Sequence, residues 1–239
     1  MLFARPTMLL ALFLLGCPLL ARANERALLV PFDAVYAVTA QGFKVGSMRR
    51  TLRFDGEHRY RFTATFETTG LAAALKRVAV TESSSGVVEQ GVLRPVRYRY
   101  LRQSGKKVQA SGVDFDWSQN LARGNNGDRR WQLPLTGAEL DKLTYQLALA
   151  ADLQAKVPTL KYVVPDGGKR QTFALTLTGA AQVSLDSGSV DTLRVEHRRK
   201  DQRQTTLWCD PARGFVPVQI EYREKDGSLI RARLTQLTR

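Results

Sequence analysis

Apolar and polar residues alternate with a period of two along most of this chain. The pattern is cleanest at 59–67, where Tyr60, Phe62, Ala64 and Phe66 fall on one side and Arg59, Arg61, Thr63, Thr65 and Glu67 on the other. Such alternation predicts a strand with one face in a core and the other in water. Near the end of the chain, residues 205–211 read as a strand ending in a turn. Val216, Val218, Ile220 and Tyr222 then share a face, Asp226-Gly227 offers a tight reversal, and Ile230, Ala232 and Leu234 alternate with Arg231, Arg233 and Thr235. Two alternating runs separated by a turn pair are a strong local hairpin signal. The rest of the chain repeats this antiparallel theme.

Residues 32–40 and 43–54 read as strands joined at Gln41-Gly42, with Gly46 marking a bulge or the close approach of another backbone. Asp55-Gly56 turns into the 59–67 strand. Strands at 78–81 and 87–90 flank a polar turn at 82–86. Val96, Tyr98 and Tyr100 alternate with Arg97, Arg99 and Leu101 behind Pro95, and 107–117 carries Val113, Phe115 and Trp117 on one face. Residues 120–130 read as a loop. A hairpin follows at 160–164 and 170–178, with Phe173, Leu175 and Leu177 inward, then a short strand at 183–186. At 192–199, Leu193, Val195 and His197 alternate with Arg194, Glu196 and Arg198.

Two stretches break the period. The alanines of 70–76 favour a helical turn or two. Thr136-x-x-Glu139 has the form of a capping box, and Leu140, Leu143, Leu147, Ala150 and Ala151 then recur at helical spacing. This predicts one substantial helix over 137–153, lying on a sheet with its leucines down. The fold expected is mainly β: a single antiparallel sheet, curled or closed to a barrel, of roughly ten to twelve strands with one packed helix.

The first residues change the picture of where this sheet works. Arg5 precedes an unbroken apolar run at 8–15, and Ala21-Arg22-Ala23 sets small residues where a signal peptidase reads. Cleavage between Ala23 and Asn24 is expected, giving a leader of 1–23, a β-rich domain of 24–239 and a periplasmic location. The apolar core of the leader falls short of the ~20 residues a bilayer span requires. The alternative is a lipoprotein anchored through Cys17, because Leu14-Leu15-Gly16-Cys17 has the form of a lipobox; Pro18 and the better small-residue site at Ala23 weigh against it. A chain cut before Asn24 loses Arg5 and Arg22 and keeps +12 of the formal +14 charge. Outside the cytoplasm the anions that meet such a surface are lipid head groups and acidic polymers, so no nucleic acid partner is expected. The same chain keeps Cys209 alone, which leaves no internal disulfide to form.

Chemistry is sparse. His58 and His197 stand far apart with no cysteine cluster, so no metal site is predicted. Cys209 beside Asp210 fits a small residue at a strand end, Ser83-Ser84-Ser85 lacks the context of a nucleophile elbow, and Asp114 and Asp116 have the spacing of an exposed strand face. Gly124-Asn125-Asn126-Gly127 lacks the Lys-Ser/Thr of a phosphate loop. No catalytic constellation and no cofactor is predicted, and the chain does not read as an enzyme.

Shape remains. Tyr60, Phe62, Phe66, Tyr98, Tyr100, Phe115, Ile220 and Tyr222 line the inner face of the expected sheet, which predicts a site for a lipid or another amphipathic anion. The charged head would meet Arg97, Arg99, Arg194, Arg198, Arg231 and Arg233. The alternative is a solid barrel acting as an envelope scaffold, with the same arginines forming an outer face for an acidic partner. A lipid binder leaves volume unfilled behind Ile220 and Tyr222, whereas a scaffold fills it.

Several local features occur together in one order: Tyr36 with Gly42-x-x-x-Gly46, the Pro95-Val96-Arg97-Tyr98 strand start, Asp141-x-Leu143, Trp208-x-Asp210, Val216-Pro217-Val218-x-Ile220 and Asp226-Gly227. With these the chain resembles the bacterial exported family known as domain of unknown function 3108, from about residue 32 to 237. The resemblance implies an envelope location and one β-rich domain, and it supplies no catalytic residues. The expected half-barrel with a helix is also similar to periplasmic lipoprotein carriers, a likeness of architecture alone.

Overall fold

The computed structural model describes residues 29–239. The leader, Cys17 and the Ala23/Asn24 cleavage site lie outside the described residues. Fourteen antiparallel strands follow one another: β1 (Phe32–Ala40), β2 (Phe43–Asp55), β3 (Arg59–Thr68), β4 (Val78–Glu89), β5 (Val92–Ser104), β6 (Lys107–Asp116), β7 (Leu121–Asn126), β8 (Arg129–Pro134), β9 (Leu160–Asp166), β10 (Lys169–Leu185), β11 (Gly188–Arg198), β12 (Gln204–Asp210), β13 (Val216–Arg223) and β14 (Leu229–Thr238). The short helix α1 (Gly70–Leu75) joins β3 to β4, and α2 (Tyr145–Gln154) lies between β8 and β9.

The strands form one sheet in the order β8-β7-β6-β5-β4-β3-β2-β1-β14-β13-β12-β11-β10-β9. It is a meander whose two ends meet: β1 pairs with β14, while β8 and β9 are the free edges. The sheet curls into a barrel with one seam, and the chain between those edges seals it. Glu139 bridges to Val163, the Leu140 amide donates to the Val163 carbonyl at 2.8 Å, and Arg170 donates to the Pro134 carbonyl and to Glu139. Covering edge strands in this way removes the unpaired backbone that would otherwise recruit another sheet.

Inward positions show why these sequences curl. Tyr36, Leu52, Phe62, Val195 and Val218 are almost wholly buried and belong to one continuous core. Gly46 sits where a Cβ would meet the Glu67 carbonyl oxygen at 2.1 Å, so only glycine lets β2 and β3 close there, beside a register shift in β1. The close-approach reading of Gly46 thus holds.

Several boundaries differ from the sequence expectation. Residues 120–130 are not a loop but hold β7 and the start of β8, which adds two strands, whereas residues 82–86 are not a turn and β4 runs unbroken through them, which joins two expected strands into one. Inward polar residues of β4 find buried partners, so a turn-like composition folds as strand. The short strand at 183–186 is the end of the long β10, and Leu177, opposite the inward Val195, lies exposed beside a register shift rather than packed in the core. Val96 has no cross-strand partner and is exposed, while Pro95 pairs with Gly86 across the bulge.

The helix is also displaced. Glu139 reaches back as in a capping box, each carboxylate oxygen 2.9 Å from the Thr136 amide, but the Thr136 hydroxyl donates to the same carboxylate instead of accepting a first-turn amide, and these contacts stabilise a loop at the seam. Asp141 starts the helical turn instead, accepting the amides of Leu143 (2.8 Å) and Thr144 (2.7 Å). Tyr145, Leu147, Leu149, Ala151 and Leu153 of α2 are all buried, as expected of a helix enclosed on every side rather than laid on one face. It plugs part of the barrel interior.

Candidate functional site

The barrel has two unlike ends. One, the upper end, carries α1 and the β1–β2, β5–β6, β7–β8, β9–β10, β11–β12 and β13–β14 turns; the lower end carries the remaining turns and the Pro211–Arg213 helical turn. From its buried start near mid-barrel, α2 returns the chain to β9, which begins at the lower end, so the helix occupies the lower half. Inward residues there are sealed: Phe32, Leu52, Tyr60, Phe62 and Phe115 are buried. The same strands open above. Met48, Phe66, Val80, Tyr100, Ile220 and Tyr222 face inward at the upper end yet remain only half-buried. These half-buried apolar residues form the mouth of the barrel.

Beneath this mouth lies a polar floor. Asp141 is buried and accepts from the Ser84 hydroxyl (2.5 Å) and the Thr144 hydroxyl (2.8 Å) as well as its two amides, while Tyr60 meets Thr144 at 3.1 Å. Burial holds the Asp141 carboxyl above its ordinary range, although every one of these donors pulls the other way. Tyr98 donates to Glu82, whose carboxyl is likewise raised by its burial against the pull of that hydroxyl. Arg50 completes the floor. It is 3 % exposed, stacks 5.0 Å from the Phe62 ring centroid and donates from Nη2 to Gln146 at 2.6 Å, yet its buried Nη1 has no hydrogen-bond partner among the described residues.

Of the eight aromatic and aliphatic residues read from the sequence as an inner face, all do point inward, but they divide. Tyr60, Phe62 and Phe115 are packed in the lower half, Tyr98 is tied to Glu82, and Phe66, Tyr100, Ile220 and Tyr222 line the mouth. The six arginines expected near an anionic head lie on the opposite, outer face of the sheet. Arg97 and Arg99 both hold Asp114, Arg194 and Arg198 flank Glu196, Arg231 holds Glu221, and Arg233 donates to Gln219. Those side chains do not reach the interior, because their alternation places them out of phase with the core. Among the described residues the buried cation on the inner face is Arg50.

Residues weighed for catalysis are placed as follows. Cys209 is buried, and burial pushes its thiol up to about 12, which keeps it protonated at neutral pH. His197 packs on Phe173 with ring centroids 4.9 Å apart, and its Nδ1 lies 3.0 Å from the Ala174 carbonyl. His58 is exposed beside Glu57. Among the described residues no group of three or more His, Cys, Asp or Glu is arranged to hold a metal ion.

No curated protein matches the sequence. Among solved structures, the fold is similar to the crystal structure of a beta-barrel-like protein of domain of unknown function DUF1849 from Brucella abortus. The TM-score is 0.56 at 12 % identity, over 87 % of this chain and 97 % of that one. That likeness shows the barrel architecture. The model of the family described as "Protein of unknown function (DUF3108)" matches residues 35–235, which run from β1 into β14 and take in the mouth, the floor and the plug, and the chain belongs to that family.

Proposed function

We propose that this is an exported, non-catalytic envelope protein that holds one amphipathic anion in the upper mouth of its barrel. Its acyl part lies against Phe66, Val80, Tyr100, Ile220 and Tyr222, and its anionic group approaches Arg50. The observation that carries the reading is the orphaned Nη1 of a buried arginine below a half-exposed apolar wall. A buried cation lacking a full set of partners is costly, and an anion supplies what it lacks. The rival scaffold reading draws on the outer arginines, but most of these already neutralise acids on neighbouring strands.

The reading includes export with cleavage before Asn24, and the intact mass of the mature chain tests that part; a diacylglyceryl adduct on Cys17 would replace it with the anchored form. Ligand binding is tested by native mass spectrometry and organic extraction of protein purified without detergent, together with uptake of a fluorescent fatty acid. Stoichiometric lipid, or probe uptake that Phe66→Arg and Arg50→Met each reduce about tenfold or more, is expected. A clean apo mass with no probe uptake would overturn the proposal, as would uptake unchanged in both variants.

A further inference from the structure

Exposed large apolar side chains are concentrated at one place. Leu75 (89 %), Leu71 (85 %), Phe43 (77 %) and Val108 (62 %) are the four most exposed large hydrophobic residues described, and all four sit at or beside upper-end turns on the β1–β6 side. Leu71 and Leu75 are four residues apart on α1, so they project from the same side of it, and α1 lies against β2, the strand that Phe43 begins. Burial of a core cannot account for them, because they have none to enter.

Cations flank each tip in the chain. Phe43 is followed by Lys44, Leu75 by Lys76 and Arg77, and Lys106 and Lys107 precede Val108. All five cations are exposed, and none makes an ion pair with a described residue. The mid-barrel arginines Arg97, Arg99, Arg194 and Arg231, by contrast, are matched to acids. At the lower-end turns the charges are matched instead: Asp55 pairs with Arg59, Glu89 with Arg94 and Asp116 with Arg123.

We infer that the upper end docks on the surface of an anionic lipid bilayer, with Leu71, Leu75 and Phe43 entering the interface and the five cations meeting head groups. Apolar tips collared by lysine and arginine match both layers of such an interface, the acyl boundary and the negative surface. An acidic protein would match the cations but would leave the leucines in water. The orientation turns the mouth towards the membrane, yet docking rests on residues other than those of the ligand site, so failure of either leaves the other standing.

The test is co-sedimentation of the chain starting at Asn24, so that neither the apolar leader nor an acyl group on Cys17 contributes, with vesicles of phosphatidylcholine alone or mixed with phosphatidylglycerol. Binding is expected to the mixed vesicles and to weaken as salt rises. Leu71→Asp with Leu75→Asp should lower it about a hundredfold, at roughly tenfold per leucine. Lys76→Glu should lower it roughly fivefold or more. Neither leucine is buried, so the melting temperature of the double variant should match wild type and a loss of binding is not a loss of fold. Equal sedimentation with both vesicle types, no sedimentation with either, or full binding by the double aspartate variant would overturn the inference.

Discussion

Phe62 and Phe66 lie on one strand, face the same way and differ in one respect: Phe62 is fully buried against Phe32 and beneath Arg50, whereas Phe66, four residues on, is half-exposed. The whole barrel repeats this contrast. Its lower half is a solid core built around α2, and its upper half keeps the same inward apolar chemistry without the plug. Uniform strands therefore do not make a uniform interior. What separates a packed end from an open one is where the single inserted helix comes to rest, and that is decided by Asp141, whose carboxylate gathers the amides that begin the helical turn.

The largest break in this contrast comes from the plug. Leu143 is 1 % exposed, and Leu143→Asp places an unpaired charge in the core, with an expected cost of roughly 3–5 kcal/mol read from the urea midpoint. A variant that unfolds like wild type would mean the plug does not hold the lower half together. Next comes the paired test on β3. Phe62→Ala should cost about 3–5 kcal/mol, whereas Phe66→Ala, having less burial to lose, should cost about 1 kcal/mol or less. Equal losses would erase the distinction between the ends.

A smaller effect separates two carboxylates by pH. Glu82 lies in the floor with its carboxyl raised by burial and by the charge of Asp141, so the folded state binds its proton more tightly than the unfolded chain does. Its contribution is therefore greatest at pH below the ordinary carboxylate range and is lost as pH rises through the raised value. Glu139 at the seam behaves oppositely. Burial resists ionisation, but the amide and hydroxyl of Thr136 and the guanidinium of Arg170 outweigh it and lower the value, so its contribution is lost as pH falls. In denaturant titrations across pH, Glu82→Gln should flatten the decline towards neutral pH, and Glu139→Gln should flatten the decline into acid. The reverse assignment would contradict the placement of both groups.

How much of this was readable in advance follows from which side chains carry a period. The strands of the closing hairpin, the Gly46 contact and the inward set from Tyr60 to Tyr222 were legible because period-two alternation reports a face directly. The floor was not. Glu82, Ser84 and Gly86 have the composition of a turn, and only the arrival of Tyr98 and Asp141 from distant parts of the chain allows them to continue as strand. Arg50 did carry a signal, since it is in phase with Leu52 and Met48, but its neighbour Arg49 disguised an inward cation as part of a charged pair. The helix start was misplaced because Glu139 reaches back to the Thr136 amide as in a capping box, but with no helix behind it. Leucine spacing alone does not say whether a helix lies on a sheet or inside it.

The open upper end is tested most directly by where a bound chain touches the protein. Trp131 packs over Gly124 and beside Gly168 near the upper end, Trp117 stacks on Phe115 and donates to the Pro95 carbonyl at the lower end, and Trp208 lies outside under Arg194. With Trp208→Phe as background, a fatty acid brominated along its chain should quench the protein that keeps only Trp131 and leave the protein that keeps only Trp117 unchanged. Quenching of Trp117, or bound probe that quenches neither, would contradict a ligand seated in the upper mouth.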